Sequence, residues 1–189
     1  KNRPVQGSGA NVSAGYHGYW ITDFTQIDPH LGTNEELAQL VRDAHARGMK
    51  VYFDIIVNHT ADLISYEGQQ GGSAPYVTKA QSPYKDASGT PFDPSKVSTF
   101  PEMSAQTSFP YVPKRTGKVV PDELNDVTLY HNRGDSTWTG ESVTYGDFVG
   151  LDDVMTENPK TVRIFADVYK KWMDFGIDGF RIDTVKHVD

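Results

Sequence analysis

Two apolar runs constrain this chain more than anything else in it. Each is entered from an amphipathic segment of helical length, and each ends in polar side chains. The first spans Met49–Val57 and ends in Asn58-His59; the second opens at Gly176 and ends in Asp183. Ahead of the first, Thr33 and Glu36 have capping-box spacing. Leu37, Leu40, Val41 and Ala44 recur on one helical face, and Gly48 supplies the stop. Ahead of the second, Asn158 caps a helix with Pro159 at its first position, and Val162, Phe165, Tyr169 and Trp172 form the apolar face before Gly176. Helix–strand units repeated in this way imply parallel strands and an α/β fold. The nearly unbroken apolar run of Met49–Val57 reads as a parallel strand covered on both faces.

Alternation along the second strand puts Phe180 and Ile182 on one face, and Arg181 and Asp183 on the other. An arginine beside an aspartate favours the ionised carboxylate and lowers its pKa, which suits a nucleophile that must stay charged. Taken alone, the pair is an ordinary ion pair closing a strand. Asp54, inside the first run, must be paired or hydrogen-bonded and reads as a buried scaffold group. Asn58-His59 taken alone is a turn with a satisfied histidine.

Residues 1–14, rich in Gly, Ser and Asn, read as loop. Gly15-Tyr16-His17-Gly18-Tyr19-Trp20 follows, and by residue type Tyr19 and Trp20 read as core aromatics. Between about Thr60 and Glu157 lie most of the prolines and glycines, with no sustained periodicity. A segment of that length is either functional or a small subdomain. Tyr130–Asp135 and Thr137–Ser142 mark it as ordered and polar rather than disordered.

A net charge of −7 with no basic run argues against nucleic acid or an anionic membrane as partner. No apolar stretch is long enough to cross a membrane, and the absence of cysteine excludes disulfides and thiolate metal sites. Ten tyrosines permit sugar-stacking surfaces without establishing them.

Four segments, in this order, resemble the signature segments of the α-amylase family of glycoside hydrolases: Gly15–Trp20, Asp54–His59, Gly150-Leu151-Asp152-Asp153-Val154 and Gly176–His187. The resemblance covers nearly the whole chain. It implies part of a (β/α)8 TIM barrel with an irregular subdomain inserted after the third barrel strand. Residues 1–59 would be partial barrel, 60–157 the inserted subdomain, and 158–189 a barrel helix and the fourth strand. It also implies a retaining mechanism on α-1,4-glucosidic bonds, in which two carboxyl groups roughly 5 Å apart act as nucleophile and acid. Asp183 resembles the nucleophile, with Arg181 holding it charged. Tyr19 resembles the tyrosine that stacks on the sugar beside the scissile bond, which reverses its reading as core. His17, His59, Lys186 and His187 resemble residues lining the same site. Asn58, Asp153 and the main-chain carbonyl of His187 resemble the ligands of a structural Ca2+, a hard cation that takes oxygen donors; Asp152 is the weaker candidate of the adjacent pair.

The resemblance further implies an α-glucan partner, the remainder of the same barrel as a second partner, and a secreted enzyme. The family's acid lies on a later strand, so the chain reads as a fragment inactive alone. Cyclodextrin-forming or other glucan transferases and pullulanase-like α-1,6 hydrolases are the nearer alternatives, and Lys186-His187 leans toward the amylase and cyclodextrin-forming groups. A non-catalytic barrel-like ectodomain would have no need of Arg181, Asp183 and His59 together. A dinucleotide-binding domain would need a Gly-x-Gly-x-x-Gly turn after a strand, which is missing here.

Overall fold

A computed structural model of the chain describes residues 3–4, 12–13, 15–69 and 73–189. Arg3–Pro4 (β1) and Val12–Ser13 (β2) form a two-residue antiparallel ladder. The expected loop over 1–14 is corrected to that extent, because so short a ladder leaves no alternation to read; the rest of that stretch lies outside the described residues.

Helix α1 (Asn34–His45) begins as its sequence predicts. Thr33 accepts from Glu36 N–H, and Glu36 accepts from Thr33 N–H, closing the capping box. Its inner face buries Val41 and Ala44, with Leu37 partly covered. Leu40, expected on that face, is 55% exposed, since it lies a full 100° from Val41 around the helix. Strand β3 (Tyr52–Ile56) follows.

The described residues after β3 form an irregular but ordered segment. Ile64–Tyr66 (β4) pairs antiparallel with Pro113–Arg115 (β7), and Tyr84–Lys85 (β5) pairs with Pro91–Phe92 (β6). Two buried ionisable side chains organise it. The Arg133 guanidinium donates to the carbonyls of Val77 (2.9 Å) and Ser82 (2.8 Å) and lies 4.1 Å from the centre of the Tyr84 ring. Asp152 accepts from the N–H groups of Leu63 (2.8 Å) and Ile64 (3.2 Å). Both satisfy backbone groups that loops cannot pair among themselves. A one-turn helix, Ser142–Tyr145 (α2), comes late in the segment.

Helix α3 (Pro159–Phe175) starts at the Asn158 cap, whose side chain accepts from Lys160 N–H, and ends at Gly176 with φ 117. A side chain there would be strained in the left-handed region and crowd Val41. The buried face is Thr161, Ile164, Phe165, Val168 and Trp172, while Val162 is 55% exposed. The expected stripe was therefore displaced at its first turn: Ile164 and Phe165 lead into Val168 and Trp172 at helical spacing, and Val162 lies off that line. Trp172 Nε1–H donates to the Phe24 carbonyl (2.8 Å), and Tyr169 O–H donates to the Ile56 carbonyl (2.5 Å).

Strand β8 (Gly179–Asp183) lies parallel to β3 in the register Tyr52↔Gly179 through Ile56↔Asp183. A Cβ at Gly179 would meet the ring of the exposed Tyr52, which would have to turn aside. Phe53 and Phe180 face the helices, with Phe53 5.1 Å from Trp172 and Phe180 5.4 Å from Tyr169. Tyr52 is 64% exposed and Asp54 lies on the same open face. The expectation of a strand covered on both faces is thus corrected: helices pack on one face, and these two strands supply no wall opposite the other. One continuous core joins α1, α3 and the β4–β7 region through Val41, Phe165, Val168, Leu63, Leu124, Leu129 and Val154.

Candidate active site

The C-terminal ends of β3 and β8 are neighbours, so the parallel register places their polar residues together. Asp54 pairs in register with Arg181, and Ile56 with Asp183. Arg181 Nη1 donates to both oxygens of Asp54 (2.9 and 3.0 Å) and to Asp183 Oδ1 (2.5 Å). One guanidinium nitrogen therefore bridges two carboxylates, and their hydrogen bonds raise the arginine's pKa further above its ordinary value. Tyr19 O–H donates to Asp54 Oδ2 (2.9 Å), and that hydrogen bond, followed by burial and the Asp54 charge, raises the phenol's pKa.

Asp54 is paired, as its place inside the first apolar run requires. It is not buried, however: its side chain is 42% exposed, because it points to the open face. Nothing local to Asp54 signals its bond to an arginine 127 residues away; only the strand register does.

His17 and Tyr19 stack at 5.5 Å, and Tyr19 N–H donates to His17 Nδ1 (3.0 Å). His59 is 2% exposed, with Nε2 3.3 Å from the Tyr19 carbonyl and its ring stacked on Phe148 at 5.4 Å. Phe148 also meets His187 at 5.0 Å, and His187 Nδ1–H donates to the Val143 carbonyl (2.7 Å). Lys186 is exposed in the 3-10 turn Val185–His187 that follows β8. The structure thus brings Tyr19, His17, Asp54, Arg181 and Asp183 into one group, and joins His59 to His187 through Phe148. Phe148 was not singled out from sequence, where an aromatic in a long irregular segment carries no signal of its own.

Asn58 and Asp153 are buried and in contact, Asn58 Nδ2 donating to Asp153 Oδ1 (3.0 Å). His131 Nδ1 lies 2.5 Å from Asp153 Oδ2, and His131 Nε2 lies 2.8 Å from Glu157 Oε2. Burial pushes Asp153 up to about 7 despite His131. For His131, burial opposes the charge, but Glu157 and then Asp153 overcome it and hold the imidazole up at about 10. Among the described residues, no group of three or more His, Asp or Glu side chains is arranged to hold a metal ion. The amide oxygen of Asn58 and the carboxylate of Asp153 are nonetheless oxygen donors of the kind a hard cation takes, already adjacent. Neither His131 nor Glu157 was singled out from sequence, although Tyr130–Asp135 was marked as ordered.

Residues 4–189 match the family model described as alpha amylase, catalytic domain, and the chain belongs to that family. It is 54% identical over 198 positions to an alpha-amylase of Streptomyces lividans, an alignment covering 100% of this chain and 21% of that protein. It is 30% identical over 181 positions to a cyclomaltodextrin glucanotransferase of Geobacillus stearothermophilus, covering 95% of this chain and 20% of the relative. Among solved structures, an alpha-amylase from Geobacillus thermoleovorans complexed with acarbose is similar with a TM-score of 0.56 and 28% identity, over 93% of this chain and 28% of that one. The chain spans about a fifth of the length of these curated relatives.

Proposed function

We propose that this chain carries the nucleophile half of the active site of a retaining glycoside hydrolase that cleaves α-1,4-glucosidic bonds in starch-like α-glucans. The observation that carries the reading is the shared guanidinium at the strand ends. Arg181 holds Asp183 at 2.5 Å and is itself anchored by Asp54, at the end of a parallel strand where (β/α)-barrel enzymes keep their chemistry. A carboxylate oriented in this way can attack an anomeric carbon, form a glycosyl ester, and later be released by water. Tyr19, fixed by Asp54, would stack on the sugar, with His17, His59, Lys186 and His187 around it. The proton for the departing oxygen would come from a carboxylic acid on a later strand.

The same proposal includes the architecture. The β3–β8 pair belongs to a (β/α)8 barrel, and the irregular segment 60–157 is inserted after its third strand. Asn58, Asp153 and the His187 main-chain carbonyl would hold Ca2+, which supplies a fixed charge tying the end of β3 to the segment after β8. Action on an external polymer fits secretion; no helix among the described residues is long and apolar enough to cross a membrane. The similarity to a cyclomaltodextrin glucanotransferase over 95% of the chain favours one second reading, glucosyl transfer to a sugar acceptor instead of water.

Asp183→Asn in the intact protein tests the core of the proposal. Loss of at least about a thousandfold in kcat on starch, with an unchanged circular dichroism spectrum, is expected when a nucleophile is removed. Undiminished turnover would refute it. Products from starch, pullulan and maltotriose separate hydrolysis from transfer and α-1,4 from α-1,6 cleavage.

A further inference from the structure

Strand β8 ends at Asp183, and the residue after it turns the chain. Thr184 sits at φ 53 and ψ 20, in the left-handed region. Its Cβ crowds its own backbone there, so a β-branched residue in that region is an outlier. Elsewhere the chain takes positive φ mostly with glycine, as at Gly18 (φ 80) and Gly48 (φ 72). The Thr184 hydroxyl does not offset the strain. Its Oγ1 is buried with no hydrogen-bond partner among the described residues, and it does not cap the 3-10 turn that follows. The conformation is imposed from both sides. Arg181 Nη1 holds Asp183 at 2.5 Å, and His187 donates from Nδ1–H to the Val143 carbonyl (2.7 Å) and from its backbone N–H to the Thr184 carbonyl (2.8 Å). A strained residue persists only where its surroundings over-determine it, and such residues gather where a group must be aimed.

We propose that Thr184 is a positioning residue for the nucleophile: held in the left-handed conformation, it stiffens the exit from β8 and fixes the direction of the Asp183 carboxylate. This deepens the function proposed above and rests on it. Glycine would take the same dihedral angles without strain, but it would leave the joint free to visit many others. A Cβ, and a branched one above all, closes most of that space. Asp183 lies next to the joint, and the Arg181 hydrogen bond to one of its oxygens sets a distance without fixing the whole carboxylate. Attack on an anomeric carbon needs the reacting oxygen within about 0.5 Å of its productive place. The chain therefore carries strain at Thr184 in return for aim at Asp183.

The experiment compares the intact wild-type protein with Thr184→Gly and Thr184→Ala, measuring kcat and KM on starch together with the unfolding temperature. Both variants remove the unpartnered hydroxyl, but only glycine frees the backbone. Thr184→Gly unfolds about 2–4 °C above the wild type as strain is relieved. Its kcat nonetheless falls about tenfold or more, with KM within about twofold. Thr184→Ala, which keeps a Cβ, stays within about threefold of the wild-type kcat. A Thr184→Gly variant with wild-type kcat overturns the proposal. So does one that loses kcat and unfolding temperature together, the mark of a merely structural residue. Equal losses of kcat in the two variants also overturn it, because the hydroxyl and not the backbone would then be responsible. If the wild type does not turn over starch, the parent reading fails and takes this one with it. An active wild type beside an equally active Thr184→Gly sinks the positioning role alone.

Discussion

Replacing His131 with glutamine removes a cation set between two buried carboxylates. The side chains of His131, Asp153 and Glu157 are 1%, 2% and 8% exposed, so water can do little to replace the lost charge. In the folded chain His131 is held up at about 10, against an ordinary value of 6.5. That difference corresponds to about 5 kcal/mol, close to the ~3–5 kcal/mol lost when one partner of a buried ion pair is deleted. Against a typical total stability of about 5–15 kcal/mol this is a large fraction. At ~2–4 °C per kcal/mol for a domain of roughly 150–250 residues, the expected fall in unfolding temperature is about 10–20 °C.

The assay is thermal and urea unfolding of the intact protein and the variant, in chelator-treated buffer, from pH 6 to pH 10. A histidine whose folded pKa lies above its unfolded value stabilises fully below about pH 6.5, and that stabilisation is lost as pH rises through about 10. The gap between wild type and His131→Gln is therefore clear near pH 8, where Asp153, held at about 7, and Glu157 are both ionised, and it closes toward pH 10. A gap under about 1 kcal/mol at pH 8, or one that widens from pH 8 to pH 10, refutes the reasoning. Added calcium is expected to stabilise His131→Gln more than the wild type, because a cation beside Asp153 would replace the charge that was removed.

Asp54→Asn leaves the Arg181 guanidinium with Asp183 as its remaining charged partner and weakens the acceptor for Tyr19. We expect kcat on α-glucans to fall by about tenfold or more, the scale for a lost charge-assisted contact. Spectrophotometric titration should show the Tyr19 phenol ionising at lower pH, and wild-type kinetics in this variant would contradict the shared-guanidinium account. Tyr169→Phe removes the hydroxyl that donates to the Ile56 carbonyl and ties α3 to β3. A loss of about 1–2 kcal/mol is expected in urea unfolding, and no change would mean that water or a shifted neighbour satisfies that carbonyl.

Much of the scaffold was legible because its signals are local. The Thr33–Glu36 capping box, the Asn158-Pro159 start and the Gly176 stop each act within one turn of helix, so residue identity and spacing suffice. The common face of Arg181 and Asp183 follows from strand geometry alone. The interior positions were read less well. Leu40 and Val162 are apolar and near the right spacing, yet both are exposed, because which side of a helix is buried depends on what lies against it. The irregular segment was read correctly as ordered, but not why. Its order rests on Arg133 bound to carbonyls 51 and 56 residues away, and on Asp152 bound to amides 88 and 89 residues away.

By itself the sequence determined where the two long helices begin and end, where two parallel strands run, and that charge gathers at their tips. Those outcomes depend on capping, periodicity and backbone sterics, which act over a few residues. Tertiary structure alone decided that Asp54 shares an arginine with Asp183, that His131 is clasped between Asp153 and Glu157, and that His187 is tied to Val143. Each of these juxtapositions links residues well separated along the chain, and their energies depend on a distance and a degree of burial that exist only once the chain has closed on itself.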